Sequence, residues 1–469
     1  MKQFVKAIFC APTGEYKEYG CPSRLTDEVF KKLKDVGINR IFGFGWDSRE
    51  ETKIKTLELC EKYDIGYFPA LDSFGAYISL GSKEKKAFDN WNEAEIKEAD
   101  ERLIQEVKKY LPYKAFKGVF FGDEAGYLSL NGVAHAKKVF SENFPGLEFH
   151  FNFFSYSINE PIFWGGMELS RNPNLEYKKP FELDEKHQIT FENRFRFYDL
   201  LVEHLLSQTK FEFVSQDKYP FEPFWKEVPT SVHVALFELN AFFAEKKKKY
   251  GFNFYNYLQA GQWATGSDRK HMSEGEMLLQ TNVTIGYGHE GYAYFPGCFP
   301  IDFIFGPEMD YAKNGASSLI DINGNEGEVY AFAKKEQEFV SLIEEDILSS
   351  EFLGVASYGR YKNGFVEENI ENLPDNECIF RGNLPNFVLY KDSKVNVSSH
   401  NEVMVSSFVK EGKKRYFVTN LSSAFFNEVN IDLPKGKYTL IQGKEKSHFD
   451  NKTHLSLKPG EAAYLIQED

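Results

Sequence analysis

The chain has 469 residues, 42% hydrophobic and 27% charged, the balance of a soluble globular protein too long for one small domain. Asp and Glu outnumber Lys and Arg by 70 to 56, a net charge of −14. That field disfavours nucleic acid and anionic membrane as partners, because both are held by basic surfaces.

The first residues run directly into an apolar segment, 4–10, that reads as a strand, so no leader peptide is expected. Seven more apolar segments follow, at 40–45, 66–71, 118–122, 148–154, 212–215, 253–259 and 291–295. Most are apolar on both faces, as parallel strands buried in a barrel are. Helical signals separate them. Thr26 precedes Asp27 and Glu28, and Gly37 closes that segment. Ser48 with Glu51 and Ser273 with Glu276 have capping-box spacing, and Asn92 is placed to cap a long charged helix over 92–110. Further helices are expected over 232–249 and 326–344. Eight alternations of strand and helix predict an α/β fold, a (β/α)8 TIM barrel, over residues 1–345.

Two connections are long, 72–91 after the third strand and 155–190 after the fifth. Both leave C-terminal strand ends, the face on which barrel sites are built. After 346 the texture changes to short segments at 387–390, 403–409, 415–419, 428–431, 438–441 and 462–466, separated by turn residues. These predict a C-terminal antiparallel β-sandwich domain over 346–469. No apolar run is long enough to span a bilayer. The five cysteines, Cys10, Cys21, Cys60, Cys298 and Cys378, are scattered and odd in number, which implies neither a disulfide framework nor a zinc site. The expected compartment is therefore the reducing cytoplasm.

Two strings carry the chemistry. The fourth strand ends in Gly122-Asp123-Glu124-Ala125, and the sixth in Gln216-Asp217-Lys218-Tyr219-Pro220-Phe221. Each puts a carboxylate where a buried strand stops. Two carboxylates at one mouth are what glycoside hydrolysis requires: one protonates the leaving oxygen, the other attacks or activates water. Glu124 reads as the general acid, set among Phe120, Phe121 and Tyr127; its alternative is a carboxylate on a helix N-terminus, a role that suits Asp123 better. Asp217 reads as nucleophile, base or sugar ligand; its alternative is an Asx turn before the extended Tyr219-Pro220. Asp123, Trp46, Tyr219, Gln259, Trp263, Glu290 and Asn152 are the expected substrate contacts, joined more weakly by Asp47, Asp72 and His150. Aromatic residues make up 16% of the chain, and some are expected to stack on sugar rings. Tyr156, Trp164 and Trp225 suit packing or a platform better than chemistry.

The pairing of a G-D-E-(A/P) strand end with a later D-x-Y-P-F strand end and a β-sandwich resembles a group of bacterial barrel glycoside hydrolases, distantly akin to the clan of retaining β-glycosidases. The resemblance implies an acid/base Glu after strand 4, matched here by Glu124. It also implies a nucleophilic Glu ending strand 7, where this chain has Gln259. That departure leaves Asp217 as the second carboxylate, or brings in an acid such as Glu290, or means that activity has been lost. Three readings follow: a glycosidase on soluble oligosaccharides or glycosides, a non-catalytic carbohydrate-binding barrel, and a metal-dependent sugar isomerase or aldolase. The first needs a carbohydrate substrate and no cofactor or metal. Sugar identity, anomeric preference and oligomeric state are not encoded in any motif.

Overall fold

The computed structural model describes residues 3–17, 20–43, 47–78, 87–154, 159–171, 179, 181, 194–221, 229–261, 272–299, 318–359 and 384–468. Eight parallel strands form one sheet: β1 (Val5–Phe9), β2 (Arg40–Phe42), β3 (Gly66–Phe68), β4 (Gly118–Asp123), β5 (Glu148–Phe153), β6 (Phe213–Asp217), β7 (Asn253–Gln259) and β8 (Gly291–Phe295). Their order is β3-β2-β1-β8-β7-β6-β5-β4. The two ends of that order meet through parallel bridges Tyr67 to Phe116 and Ala70 to Phe120, which close the sheet into a barrel. The (β/α)8 fold expected from the alternation is therefore present. Several strands are shorter than their apolar segments, whereas β6 extends to include Asp217.

Of the four helix starts expected from capping residues, three form as expected and one does not. Thr26 accepts from the Val29 amide at the start of α1 (Asp27–Asp35). The helix Glu93–Lys108, which follows α2 (Glu50–Tyr63) and the short α3 (Phe74–Ile78), opens with a complete capping box of Asn92 and Glu95 and is α4. The box expected from Ser48 and Glu51 does not form. The N-cap of α2 is Arg49, without a side-chain cap, and Asp47 instead accepts from the Arg49 amide and the Thr52 hydroxyl. The remaining helices are α5 (Leu130–Asn143), α6 (Glu160–Arg171), α7 (Arg194–Leu206), α8 (Pro229–Tyr250), α9 (Glu274–Gly286) and α10 (Tyr330–Leu348). Ser273 and Glu276 make the expected box on α9. Among the described residues no helix is long and apolar enough to cross a membrane. Cys10, Cys21, Cys60 and Cys298 are buried, and Cys378 lies outside the described residues.

Two compact units divide the chain: Arg40–Asp217 with Lys247–Asn253, and Met1–Asn39 with Lys218–Lys246 and Phe254–Asp469. The first unit holds β2 to β6. Its interior is layered by strand pleating. At the strand starts Arg40 forms an ion pair with Glu148, its guanidinium over the rings of Phe68 and Phe213. Above it Phe42, Phe68, Phe213 and His150 pack at centroid distances of 4.1–6.0 Å. Phe42 and Phe213 come from strands that are not neighbours, so these rings fill the lumen.

The second unit holds β1, β7, β8 and the C-terminal sandwich. A three-stranded antiparallel sheet, in order β10 (Asn396–Ser399), β13 (Asn427–Asp432), β16 (Lys452–Leu457), faces a six-stranded one. The latter runs β15 (Glu445–Phe449), β14 (Tyr438–Gln442), β17 (Ala462–Gln467), β12 (Lys413–Asn420), β11 (Val403–Lys410), β9 (Glu351–Tyr358). Val403, Val405, Tyr416, Val418 and Leu465 meet Val429, Ile431, Leu455 and Leu457 in the core between them. The other face of the larger sheet packs on helices: Phe417 lies 6.1 Å from Phe339 of α10, and Asn282 of α9 donates to the Gly460 carbonyl. Burial on both faces explains why β11 reads as an almost continuous apolar run. The segment 387–390 is not a strand; Val388 has φ of 49° and only an isolated bridge joins Leu389 to Val355.

One buried carboxyl in this unit has a measurable signature. Glu336 of α10 is 5% exposed, and its Oε1 has no hydrogen-bond partner among the described residues. Burial, reinforced by the charge of Glu461, raises its pKa from 4.5 to about 8. The folded chain thus keeps a proton that the unfolded chain releases. Its stabilising contribution is complete below the unfolded value and is lost as pH rises through about 8. Glu336→Gln, which cannot ionise, should melt increasingly above the wild type as pH is raised from 5 to 9. A constant difference in melting temperature across that range would show that Glu336 does not titrate in the folded chain.

Candidate active site

Strands β4, β5 and β6 lie side by side, and their register builds the site. Asp123 of β4 is opposite Asn152 of β5, which is opposite Ser215 of β6. The pairing of β4 with β5 slips between Phe120 and Gly122, leaving Phe121 as an extra residue. That bulge matters because side chains alternate along a strand. Phe120 packs on the lumenal His150, whereas Phe121 packs on Phe149 and Phe74 on the helical side. The extra residue resets the alternation, so Asp123, rather than its neighbour, turns back to the lumen.

There it ends a hydrogen-bonded chain. The Asn152 amide donates to Asp123 Oδ1 at 2.9 Å, Ser215 Oγ donates to Asn152 Oδ1 at 2.6 Å, and His150 Nε2 lies 2.7 Å from Ser215 Oγ. Because the hydroxyl proton is committed to Asn152, the imidazole is the donor to Oγ. Burial, with the Arg40 charge adding to it, holds the His150 pKa well below its ordinary value, so the ring is neutral. His150, Asn152 and Ser215 are fully buried. Every donor in the chain points toward Asp123, which therefore acts as an acceptor.

Asp217 follows Ser215 by two residues. It continues the same inward row, about 6.6 Å further toward the mouth at the usual strand rise. It is half-buried. Its charge reaches Tyr198 of α7, whose phenol is pushed well above its ordinary pKa by burial and then by Asp217.

Glu124 follows Asp123 with φ of 51°, the left-handed region, which costs a non-glycine residue about 1 kcal/mol. Two constraints hold it there. Its amide donates to the Asn152 carbonyl at 3.1 Å. The Gly165-Gly166 kink of α6 presses backbone against backbone: a Cβ on Gly166 would lie 2.2 Å from the Glu124 carbonyl oxygen, and one on Gly126 2.2 Å from the Gly166 nitrogen. Strain held by surrounding structure is a feature of functional positions. Gly166→Ala, at φ of 63°, should lower stability by about 1–3 kcal/mol and displace Glu124. Urea unfolding together with any turnover assay checks this; a variant with wild-type midpoint and activity would refute the close approach.

The other expected contacts are engaged as follows. Gln259, at the end of β7, is fully buried, and its side chain accepts from the Phe221 amide and donates to the Gly261 carbonyl. It fixes the turn after β6 to the end of β7. Tyr219 stacks on Phe295 at 5.1 Å, at the C-terminal end of β8. Glu290 does not join the strand-end residues. Its carboxylate accepts from the Phe254 amide and its carbonyl from the Val5 amide, at the N-terminal ends of β7 and β1. Asp72 pairs with Lys53, and Asp47 with Arg49. Trp164 is buried among Tyr127, Phe163 and Phe181, a packing residue. Trp46, Trp263, Tyr156 and Trp225 lie outside the described residues. Among the described residues no three His, Cys, Asp or Glu side chains come together as a metal cage. Ser215 is the site residue that sequence reasoning passed over. Its only signal was its place two residues before Asp217 on one strand face.

No family model and no curated protein sequence matches the chain. Solved structures do. The β-galactosidase of Rahnella sp. R3 aligns over 100% of this chain and 99% of its own, with TM-score 0.50 and 11% identity. The β-galactosidase of Marinomonas ef1 aligns over 74% of this chain at TM-score 0.48, and that of Halorubrum lacusprofundi over 73% at 0.45, both at 12% identity. The chain spans 62% and 58% of the length of these last two. At 11% identity the likeness to the Rahnella enzyme is one of fold alone.

Proposed function

We propose that the chain is a glycoside hydrolase that cleaves O-glycosidic bonds of soluble oligosaccharides or glycosides, with Glu124 as proton donor and Asp217 as the opposing carboxylate. The barrel, residues 1–345, is the catalytic part, and residues 346–469 are an accessory sandwich. What supports the reading is the placing of acids at the C-terminal ends of β4 and β6, on strands joined by a buried polar layer whose donors all point toward Asp123. Such a layer holds the first acid's backbone rigid, and pre-organisation of the reacting groups is what lowers the barrier.

Asp123 is engaged by Asn152, so it suits holding a sugar hydroxyl rather than donating a proton. Asp217, at the end of the inward row, suits attack on the anomeric carbon or activation of water. The carbohydrate-binding alternative is favoured by Gln259 standing where the resembled clan has its nucleophile. Incubation of the wild type with β- and α-linked oligosaccharides, followed by chromatography of the products, separates the two. Release of shorter sugars that is unaffected by EDTA is the expected result. Binding of an oligosaccharide without any release would establish the alternative.

A further inference from the structure

We infer that the outer face of the three-stranded sheet in the sandwich is a second binding site, for a neutral glycan. This inference does not require the barrel to turn over. The outward row of β13 is Glu428, Asn430 and Asp432, since Asn427, Val429 and Ile431 point into the core. Beside it run the outward residues Asn396 and Ser398 of β10 and Lys452 and His454 of β16. Asn430 and Asp432 with these four line a groove of about 490 Å³, within the size range of small-ligand sites, and Glu428 continues the row beyond it.

The polar groups of that face are fixed in place. His454 contacts Asn430 Oδ1 at 3.0 Å through Nδ1 and Glu428 Oε2 at 2.7 Å through Nε2. Ser456 donates to Glu428, and Asn451 donates to Asp432. Lys452 pairs with Asp432 at 2.9 Å. Lys452 offsets Asp432, and the face offers hydrogen-bonding groups of both kinds with no excess of positive charge. That suits a neutral polyhydroxylated ligand and offers nothing to an anionic one.

An aromatic ring stands at one end of the same row. Phe426 precedes Asn427, so alternation places it on the outer side with Glu428, and it is 61% exposed. Its neighbour Phe425 is 43% exposed. The loop that carries them is rigid. Asn420 and Asn401 donate to the carbonyls of Phe425 and Phe426, both at 2.8 Å, and Ser422 Oγ accepts from the Phe425 amide. An exposed aromatic held on a stiff loop loses little entropy on binding, and its face complements the C–H face of a pyranose. The groove begins at Asn430, four residues or ~13 Å further along the strand, so the next sugars of the same glycan would meet its amides and carboxylate.

The test is native affinity electrophoresis of the full chain in gels containing galactan, glucomannan or mixed-linkage β-glucan, with polygalacturonate as the anionic comparison. Retardation by a neutral polysaccharide is expected. Phe426→Ala and Ser398→Trp, the second filling the groove, should each weaken it at least tenfold without altering the melting temperature or any barrel turnover. Retardation that survives in both variants, retardation by polygalacturonate alone, or none by any polysaccharide would overturn the proposal. Groove binding without barrel turnover would leave it standing and remove only the hydrolase reading.

Discussion

Asp217→Asn is expected to abolish turnover of every glycoside, natural or activated, while leaving the fold intact. Whether Asp217 attacks the anomeric carbon or deprotonates water, the step requires its charge, and an amide supplies neither nucleophile nor base. Activated leaving groups do not help, because their chemistry replaces the acid and not the opposing carboxylate. Asp217 closes β6 at the surface of the polar layer, so loss of its charge should not unfold the chain; unchanged far-ultraviolet circular dichroism and melting are part of the expected result. Near-normal activity in Asp217→Asn would reduce the residue to a turn or binding group and return attention to Asp123.

Glu124→Gln should behave differently. Loss of a general acid costs about 10²–10⁴-fold when the leaving group must be protonated. Natural oligosaccharides leave as alkoxides and should lose that factor in kcat. Dinitrophenyl glycosides leave as stabilised anions and should lose far less. A Gln in this position keeps the size of Glu124 and its backbone N–H, which donates to the Asn152 carbonyl. A uniform loss on all substrates would mean that Glu124 orients the substrate rather than protonating it.

The barrel was legible because parallel strands buried on both faces leave continuous apolar runs, and all eight were visible. In the sandwich, β11, β12, β13, β14 and β17 were legible for the related reason that each carries core residues such as Val403, Tyr416 and Leu465. Strand β15 is Glu445-Lys446-Ser447-His448-Phe449, almost wholly exposed, and β16 offers only Leu455 and Leu457 to the core. Strands held mainly by backbone pairing leave little hydrophobic signature. At the site, Asp123, Glu124 and Asp217 could be found as strand-end acids. The bulge at Phe121 could not, since an apolar run reads the same with or without an extra residue. Nor could the role of Gln259, whose amide serves backbone groups of a turn 38 residues away. Glu290 precedes its strand, and a residue there belongs to the N-terminal end of a parallel barrel. That rule, applied to position alone, separates it from Glu124.

The most direct measurement is a plot of log kcat against leaving-group pKa, from about 4 to about 10, for aryl glycosides of the hydrolysed anomer, with wild type and Glu124→Gln compared. A shallow wild-type line and a steep variant line that converge at the best leaving groups are the predicted result, because protonation by Glu124 offsets poor leaving ability. Two parallel lines, or a wild type that binds but turns over neither anomer, would contradict the account.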